Sequence, residues 1–387
     1  MKRAWLAMIG FALGGCLIPT AQPPTSTPEA PTPPATQPSL STPFSVTSAP
    51  TRRPTLTPSP TATRNDFTGF LQRPSGHSIR VMTYNVNWDS IFPEDDPKNH
   101  DLREFSRAEA FERILRAVQP DVICLQEINY LRGGQELSQF IGRTMGSTPD
   151  QSWQVTNVRD NVIATRFGLQ ETGYQLVTSL YPLDLQQAAA LIDLPDARYG
   201  STDLYLICAH FKAGGDRSDI LLRSRQADVI MANLRDLKSP GGALELEPGT
   251  PMVIMGDFNI YTTDPALHSR TLQHGDIYDE SAYGEDGLPD WDDTPLADAN
   301  PSHNGLRIDF YTWRTESPVF PWGALDRIFY TDSVLELSNA FILNTMLLSD
   351  QVLDRLGLQA EDVVLDLPSG YYDHLPVVAD FELTATP

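Results

Sequence analysis

An α/β fold is predicted for residues 77–385, because short apolar strands alternate with helices along this part of the chain. Residues 79–86 alternate as a strand does, and residues 106–118 carry apolar side chains at the helical period. Pro120 ends that helix, and residues 121–125 then form a nearly continuous apolar strand. Such a strand is typical of a sheet that is covered on both faces.

The same alternation continues toward the end of the chain. Residues 278–304 are polar and rich in aspartate, and we predict a surface loop there. Five histidines outside the motifs described below are predicted to be surface or loop residues: His77, His100, His268, His274 and His303. Further strands are predicted at 161–165, 204–209, 252–255, 324–330 and 376–381, and a helix at 220–237.

The first 76 residues are predicted to precede the folded domain. Residues 1–16 have the basic start and short apolar run of a signal peptide, and Leu13-Gly14-Gly15-Cys16 resembles the bacterial lipobox, whose cysteine carries the lipid. An ordinary signal peptide with an incidental Cys16 is the alternative. Residues 17–76 are rich in Pro, Thr and Ser, which predicts a disordered tether. We therefore expect an exported chain, anchored by lipid to the extracytoplasmic face of the cell envelope, and predict no protein partner.

Charge and cysteine content restrict the function further. The net charge is −22, and residues 1–65 carry +4, so the remainder carries −26. That surface lacks the basic footprint of a dedicated duplex-binding protein, although turnover of nucleic acid is compatible with it. Cys124 and Cys208 lie in apolar runs and are predicted to be buried in strands, either as two free thiols or as a disulfide.

Polar side chains that can bind metal ions or move protons stand at the ends of the predicted strands. Any one of them has a simple structural explanation, such as a turn or a surface ion pair. That explanation is weak for the whole set, because it must account for a suitable side chain at the end of strand after strand. The set comprises Asn85, Glu127, His210, Asp257, Asn259, Asp326, Asp373 and His374.

In order and spacing, these motifs resemble those of the endonuclease/exonuclease/phosphatase superfamily, which includes deoxyribonucleases, sphingomyelinases and inositol polyphosphate phosphatases. The most specific motif is Gly-Asp-Phe-Asn at 256–259, and the similarity extends over about residues 79–383. The resemblance implies a four-layer α/β/β/α sandwich of two packed mixed sheets. It also implies metal-dependent hydrolysis of a phosphodiester.

The resemblance assigns catalytic roles to five residues. His374 matches the residue that activates water or holds the phosphate, and Asp326 matches the acid that orients it. Asp257 and Asn259 stand two residues apart and are expected to point toward the water and the scissile phosphate. His210 matches a phosphate contact of the deoxyribonuclease and sphingomyelinase branches. Whether Asp257 or His374 is the general base stays open.

Metal and substrate contacts are implied in the same way. Asn85 and Glu127 match the family's metal ligands, Asp373 is a further candidate, and Mg²⁺ is the expected ion with Mn²⁺ as the alternative. The segment from Asp160 to Arg166 resembles the family's Asn-Ala-x-x-Ser-Arg strand, with Thr in place of Ser. Asn161 and Arg166 are therefore expected to contact the substrate.

Three functions fit these features. The first is a phosphodiester hydrolase that acts on extracellular nucleic acid, and the second is a sphingomyelinase-like or inositol phosphatase-like hydrolase of lipid headgroups. The third is a non-catalytic surface binding module, which the intact set of ligands disfavours. Trp313 and Trp322 lie near the motifs. Three roles are open for them: packing in the core, stacking on bases, or insertion into a lipid interface.

Overall fold

The computed structural model describes residues 68–87, 91, 107–128, 133–146, 152–170, 182, 184–242, 245–260, 265–314, 322–363 and 374–384. None of the helices within these ranges has the length and apolar character needed to cross a membrane. The predicted signal peptide, Cys16 and most of the predicted tether lie outside the described residues, and so does Asp373.

Two mixed β-sheets form the centre of the domain. Sheet I has the strand order β10-β12-β13-β1-β2-β4-β3, and sheet II has the order β5-β6-β7-β8-β11-β9. The strands are β1 (Ile79–Asn85), β2 (Val122–Gln126), β3 (Gln154–Val158), β4 (Asn161–Thr165), β5 (Gly168–Leu169), β6 (Ala188–Asp193), β7 (Leu204–His210), β8 (Met252–Asp257), β9 (Ala297–Asp298), β10 (Ser302–His303), β11 (Asp326–Tyr330), β12 (Leu335–Ile342) and β13 (Val377–Leu383).

Helices cover the outer faces of both sheets. On sheet I, Phe111 of helix α1 packs beside Tyr84 of β1, with ring centroids 6.3 Å apart. On sheet II, Ile230 of α4 shares a buried cluster with Ile207 and Ile254. The described helices are α1 (Ala108–Val118), α2 (Gly133–Met145), α3 (Asp196–Tyr199), α4 (Arg217–Lys238), α5 (Pro265–His274), α6 (Glu280–Tyr283) and α7 (Asp350–Leu356). The predicted four-layer sandwich is confirmed.

The elements predicted from apolar runs are present, whereas several half-exposed ones were not predicted. β4 has the predicted bounds, and α4 extends the predicted helix by three residues at its start because Asp216 and Asp219 form a capping box there. β3 and β12 are strands in which most residues are partly exposed. Their mixed composition does not show the apolar run or strict alternation on which prediction depends.

The prediction of a surface loop at residues 278–304 is only partly correct: residues 284–296 form no helix or strand and many of them are exposed, but the two ends of the segment are structured. This segment forms α6 and supplies the edge strands β9 to sheet II and β10 to sheet I. His303, predicted to be a surface residue, is fully buried, and its Nε2 donates to the carbonyl oxygen of Tyr311 at 2.7 Å. Polar residues are buried here because backbone groups satisfy them, a pairing that composition does not reveal.

The predicted start of the domain at residue 77 is also too late. Phe70 is buried, and its ring lies edge-on to Phe341 with centroids 5.0 Å apart. Arg73 forms an ion pair of 2.5 Å with the buried carboxylate of Asp121. One aromatic anchor and one ion pair are therefore enough to attach residues 68–76 to the domain, although the neighbouring composition is that of a tether.

The question left open for the two internal cysteines is settled by a disulfide between Cys124 and Cys208. Cys124 lies in β2 of sheet I and Cys208 in β7 of sheet II, so the bond joins the two sheets through the buried layer between them. The residues are 84 positions apart. In the chain-entropy account, a cross-link over such a loop stabilises the native state by about 4 kcal/mol.

Candidate active site

The predicted site residues meet at one edge of the sandwich because of how the strands run. β1 and β2 are parallel, as are β7 and β8, so their carboxyl ends lie at the same edge. β11 and β13 run antiparallel to their neighbours β8 and β1, so they bring their amino ends to that edge. Side chains near the carboxyl ends of β1, β2, β7 and β8 therefore lie close to side chains near the amino ends of β11 and β13.

Oxygen ligands for a metal ion collect around Asn85. Its Nδ2 donates to Glu127 Oε1 at 2.9 Å and to Asp257 Oδ2 at 3.1 Å. Glu127 follows β2 with a φ of 64°, in the left-handed region that residues with a side chain adopt infrequently. The two carboxylates supply oxygen ligands of the kind that Mg²⁺ prefers, whereas Asn85 turns its amide nitrogen toward them and its Oδ1 accepts from the backbone N–H of Asn87 at 3.0 Å. The carboxylates of Glu127 and Asp257, with Asn85 between them, therefore fit a divalent cation.

A second possible ligand group overlaps the first. Asp257, Asp326 and His374 each offer one ligand atom, and these atoms all lie within 4.8 Å of one another. Asp257 belongs to both groups and is almost fully buried. A cation near Asp257 would thus offset carboxylate charge that burial makes costly.

His374 is held by Asp326 on its Nδ1 side, at 2.7 Å. Its Nε2 lies 3.7 Å from Asp257 Oδ2. Burial opposes the protonated form, but the nearby carboxylates of Asp326 and Asp257 outweigh it and raise the pKa of His374 to about 9. The arrangement is the predicted one, in which an acid orients a histidine.

His210 forms a second pair of this kind, which sequence reasoning found only in part. Its Nδ1 lies 3.0 Å from Asp160 Oδ2, and its Nε2 lies 3.8 Å from Glu127 Oε1. Burial lowers the pKa of His210, but Asp160, Asp257 and Glu127 raise it to about 9. Burial by itself would raise the pKa of Asp160, yet the bond to His210 lowers it. Asp160 was not assigned a role, although it stands directly before a strand that starts at this edge.

The Gly-Asp-Phe-Asn segment shapes the turn that follows β8. The backbone N–H of Asn259 donates to Asp257 Oδ1 at 2.9 Å, and its Nδ2 donates to Asp257 Oδ2 at 3.1 Å and to the carbonyl oxygen of Phe211 at 3.0 Å. Asn259 has a φ of 51°. It therefore orients Asp257 and ties the turn to the loop after His210.

The two predicted substrate contacts differ in position. Asn161 lies at the site edge, where its Nδ2 and the backbone N–H of His210 both donate to Oε1 of Gln187, at 3.0 and 2.8 Å. Arg166 lies past the opposite end of β4 and forms an ion pair of 3.2 Å with Asp121. The strand between them is five residues, about 16 Å, so the expected substrate contact of Arg166 is corrected to a structural ion pair. Gln187 was missed because it precedes β6, a strand that was not predicted.

Two buried polar residues of α4 hold the segment that follows His210 in place. Arg223 is buried and donates to the carbonyl oxygens of Lys212 and Gly214, both at 2.7 Å. Gln226 accepts from the backbone N–H of Lys212 at 2.9 Å. Of the candidate aromatic residues, Trp313 lies with its ring centroid 6.4 Å from that of His374, and Trp322 is 46% exposed.

The raised pKa values predict how the stability of metal-free protein depends on pH. A histidine with a pKa of about 9 when folded and 6.5 when unfolded binds more protons in the folded state between these values. Its stabilising contribution is full below pH 6.5 and is lost as the pH rises through 9. We expect the Tm in EDTA to fall by on the order of 5 °C or more between pH 6.5 and 9.5.

The control for this measurement is Asp326→Asn, which removes the main carboxylate partner of His374. The fall in Tm over the same pH range should be smaller in this variant. An equal fall in both proteins would contradict the assignment of the effect to the His374–Asp326 pair.

Comparison with solved structures finds similar folds at low sequence identity. The human Nocturnin catalytic domain is 18% identical with a TM-score of 0.45, and the match covers 80% of this chain and 95% of that chain. A D. rerio TDP2 complexed with single-strand DNA product is 15% identical with a TM-score of 0.44, covering 79% and 99%. A Bacteroides thetaiotaomicron mannosyl-6-phosphatase is 13% identical with a TM-score of 0.46, covering 80% and 100%. None of the curated proteins compared with the sequence matches it.

The family is shown by the sequence itself. The family model described as Endonuclease/Exonuclease/phosphatase family matches residues 82–350, well over half of the chain. The matched region contains Asn85, Glu127, His210, Asp257 and Asp326, and His374 follows it. The chain therefore belongs to the Endonuclease/Exonuclease/phosphatase family and is a hydrolase of that family.

Proposed function

We propose that the protein is a Mg²⁺-dependent phosphodiester hydrolase that acts outside the cytoplasm, with nucleic acid as its first candidate substrate. The observation that carries the proposal is the pair of carboxylate-held histidines, His374 with Asp326 and His210 with Asp160, on either side of Asp257. Each histidine directs Nε2 toward Asp257 Oδ2, at 3.7 and 3.9 Å. A phosphate bound between the two histidines would accept hydrogen bonds from both Nε2 atoms, and the carboxylate of Asp257 would lie beside it as an acceptor.

Asn85 and Glu127 would hold the metal, with Asp257 nearby and Asp373 as a further predicted ligand. When bound, Mg²⁺ polarises the phosphoryl oxygen and neutralises charge that develops on the leaving oxygen. We therefore propose that the metal binds on the side of sheet I, where β1 and β2 end.

Phosphate binding and proton transfer are assigned to the remaining side chains of the site. Protonated His374 donates from Nε2 to a phosphate oxygen, and Asp326 keeps its proton and orientation fixed at Nδ1. His210 donates from Nε2 in the same way, held by Asp160. With both histidines proposed as hydrogen-bond donors to the phosphate, Asp257 is the proposed proton acceptor from the attacking water, its orientation fixed by Asn259. Of the two alternatives that the sequence left open, we therefore propose Asp257 and not His374 as the general base.

Action outside the cytoplasm is supported by two independent features. The disulfide between Cys124 and Cys208 is of a kind that persists in oxidising compartments and is rare in reducing cytosol. Residues 1–16 read as a signal peptide with Cys16 as the lipid acceptor. We propose that a lipid at Cys16 anchors the domain at the extracytoplasmic face of the cell envelope.

A hydrolase of lipid headgroups is the second candidate. Phe310 and Trp322 are 44% and 46% exposed; Phe310 lies three residues before Trp313, and Trp322 lies four residues before Asp326. Exposed aromatic side chains of this kind enter lipid interfaces, and the net charge of −22 does not favour nucleic acid. Assays should therefore include sphingomyelin vesicles beside plasmid DNA and RNA.

The function is tested with His374→Ala in the full-length chain. We expect Mg²⁺-dependent cleavage to fall at least a hundredfold, because the variant loses the proton donor at the site. EDTA should abolish cleavage by the unsubstituted protein. Product formation from DNA, RNA and sphingomyelin is measured separately, so that the substrate class is read from the same experiment.

His274→Ala is the matched control, since His274 is an exposed histidine at the end of α5. It should retain full activity. Unchanged hydrolysis by His374→Ala, or hydrolysis that persists in EDTA, would refute the proposed site.

A further inference from the structure

The disulfide between the sheets lies directly beneath the candidate active site. Cys124 is two residues before Gln126 and three before Glu127, and Cys208 is two residues before His210. Residues two apart in a strand lie on the same face, separated by about 6.6 Å. The bond is therefore one layer of side chains below the site.

The register of the neighbouring strands places the rest of the site in the same relation. Cys124 pairs with Thr83, and Asn85 pairs with Gln126 one layer above. In sheet II, Cys208 pairs with Met255, and His210 pairs with Asp257 one layer above. The four strands that carry Asn85, Glu127, His210 and Asp257 are thus joined across the sandwich at the layer below those residues.

Gln126 fills the space between the disulfide and the site. It is fully buried, and its Nε2 donates to Thr83 Oγ1 at 3.1 Å. A buried side chain therefore connects the disulfide to the candidate site. Cys124, Gln126 and the site residues follow one another along adjacent strands. A change in the distance between the sheets at the disulfide would therefore displace the site residues, which lie one layer of residues away.

The site needs such a constraint because it is divided between the sheets. Asn85 and Glu127 come from sheet I, while His210, Asp257 and Asp326 come from sheet II. Glu127 and Asp257 are like charges that meet across this division, both within hydrogen-bond distance of Asn85. Repulsion between carboxylates favours separation of the two halves, and a misplacement of about 1 Å can lower turnover on the order of a hundredfold.

We propose that the Cys124–Cys208 disulfide is a positioning bond of the active site: it fixes the separation of the two sheets beneath Asn85, Glu127, His210 and Asp257. The proposal deepens the proposed function and rests on it for its effect on turnover. It makes the enzyme fully competent only where the bond persists, in an oxidising compartment.

The test compares Cys124→Ala/Cys208→Ala with Leu335→Ala, both in the full-length chain. Leu335 is buried at the far end of β12, where it pairs with Leu383, and loss of its side chain costs a comparable amount of stability without touching the site end. Three readouts are taken well below both Tm values: amide hydrogen exchange, Mn²⁺ affinity, and kcat with Mg²⁺. If the double variant does not fold, Cys124→Val/Cys208→Ala restores part of the lost volume.

Amide exchange decides the proposal independently of activity. The N–H of Val86 bonds to Gln126 and that of Phe211 to Asp257, so both report on the site end. We expect these amides to exchange at least tenfold faster in the cysteine variant than in Leu335→Ala, with Mn²⁺ affinity and kcat each lowered at least tenfold. Equal exchange in the two variants would overturn the positioning role. If the unsubstituted protein shows no Mg²⁺-dependent hydrolysis, the proposed function is refuted. The comparison of amide exchange rates still tests the positioning role of the disulfide in that case.

Discussion

Asp257→Asn is expected to lower kcat/KM by at least about 10³-fold, the largest effect of any single polar substitution considered for this site. Asp257 Oδ2 lies 3.1 Å from Asn85 Nδ2, 3.7 Å from His374 Nε2 and 3.9 Å from His210 Nε2. The substitution keeps the shape of the side chain but removes its charge. It therefore removes the proposed proton acceptor while leaving the packing in place.

The same variant makes a prediction about both histidines. The charge of Asp257 contributes to raising the pKa of His210 and of His374, so both pKa values should fall in Asp257→Asn. Titration of the imidazole proton resonances by NMR in EDTA measures this directly. Because Asp160 and Asp326 remain, neither histidine should lose its full shift.

Asp203→Asn is the matched control, because Asp203 directly precedes β7 at the end opposite His210. It should retain activity within about twofold of the unsubstituted protein. Retention of more than a tenth of the activity by Asp257→Asn would contradict the central role assigned to this carboxylate.

Gly256→Ala should have the largest effect on the folded state. Gly256 has a φ of 148°, and a Cβ there would lie 1.9 Å from the carbonyl oxygen of Ala209. Ala209 and Gly256 pair across β7 and β8, one step before His210 and Asp257. The added methyl group must push the two strands apart at the site, which we expect to cost at least about 3 kcal/mol of unfolding free energy and most of the activity.

Urea unfolding and kcat are measured on the same preparations, with Gly76→Ala as the control. Gly76 has no heavy atom within 4 Å of an added Cβ, so that substitution should be nearly neutral. An unchanged unfolding midpoint in Gly256→Ala would show that β7 and β8 can separate without loss of unfolding free energy. The close approach of Gly256 to Ala209 would then not explain why this motif contains a glycine.

Some features of the site follow from local sequence. Asn85, His210, Asp257 and Asp326 each stand at the end of an apolar run, and an apolar run bounded by polar residues predicts a buried strand. Strand ends gather at sheet edges, so these residues could be expected to meet. The helix before Pro120 was likewise predicted, from its apolar period and from the proline that ends it.

Other features depend on contacts between distant segments. Asp160 orients His210, and its place directly before β4 does not reveal that partner. Gln187 accepts from the backbone N–H of His210 and precedes a strand that was not predicted. Arg166 matched a motif, yet the antiparallel pairing of β2 and β4 carries it to Asp121 at the opposite edge. The length of the strand, and not the motif, decides that position.

By itself, the sequence determined the family, the alternation of strands and helices, and most of the residues that meet at the candidate site, because each of these is encoded in short segments. Only the tertiary structure decided that Cys124 and Cys208 are bonded, that His303 and Phe70 are buried, and that His374 is paired with Asp326 at 2.7 Å. These outcomes depend on which strands become neighbours and in which register. Register is set by the packing of whole sheets, and a one-residue shift would reverse the face on which each side chain lies.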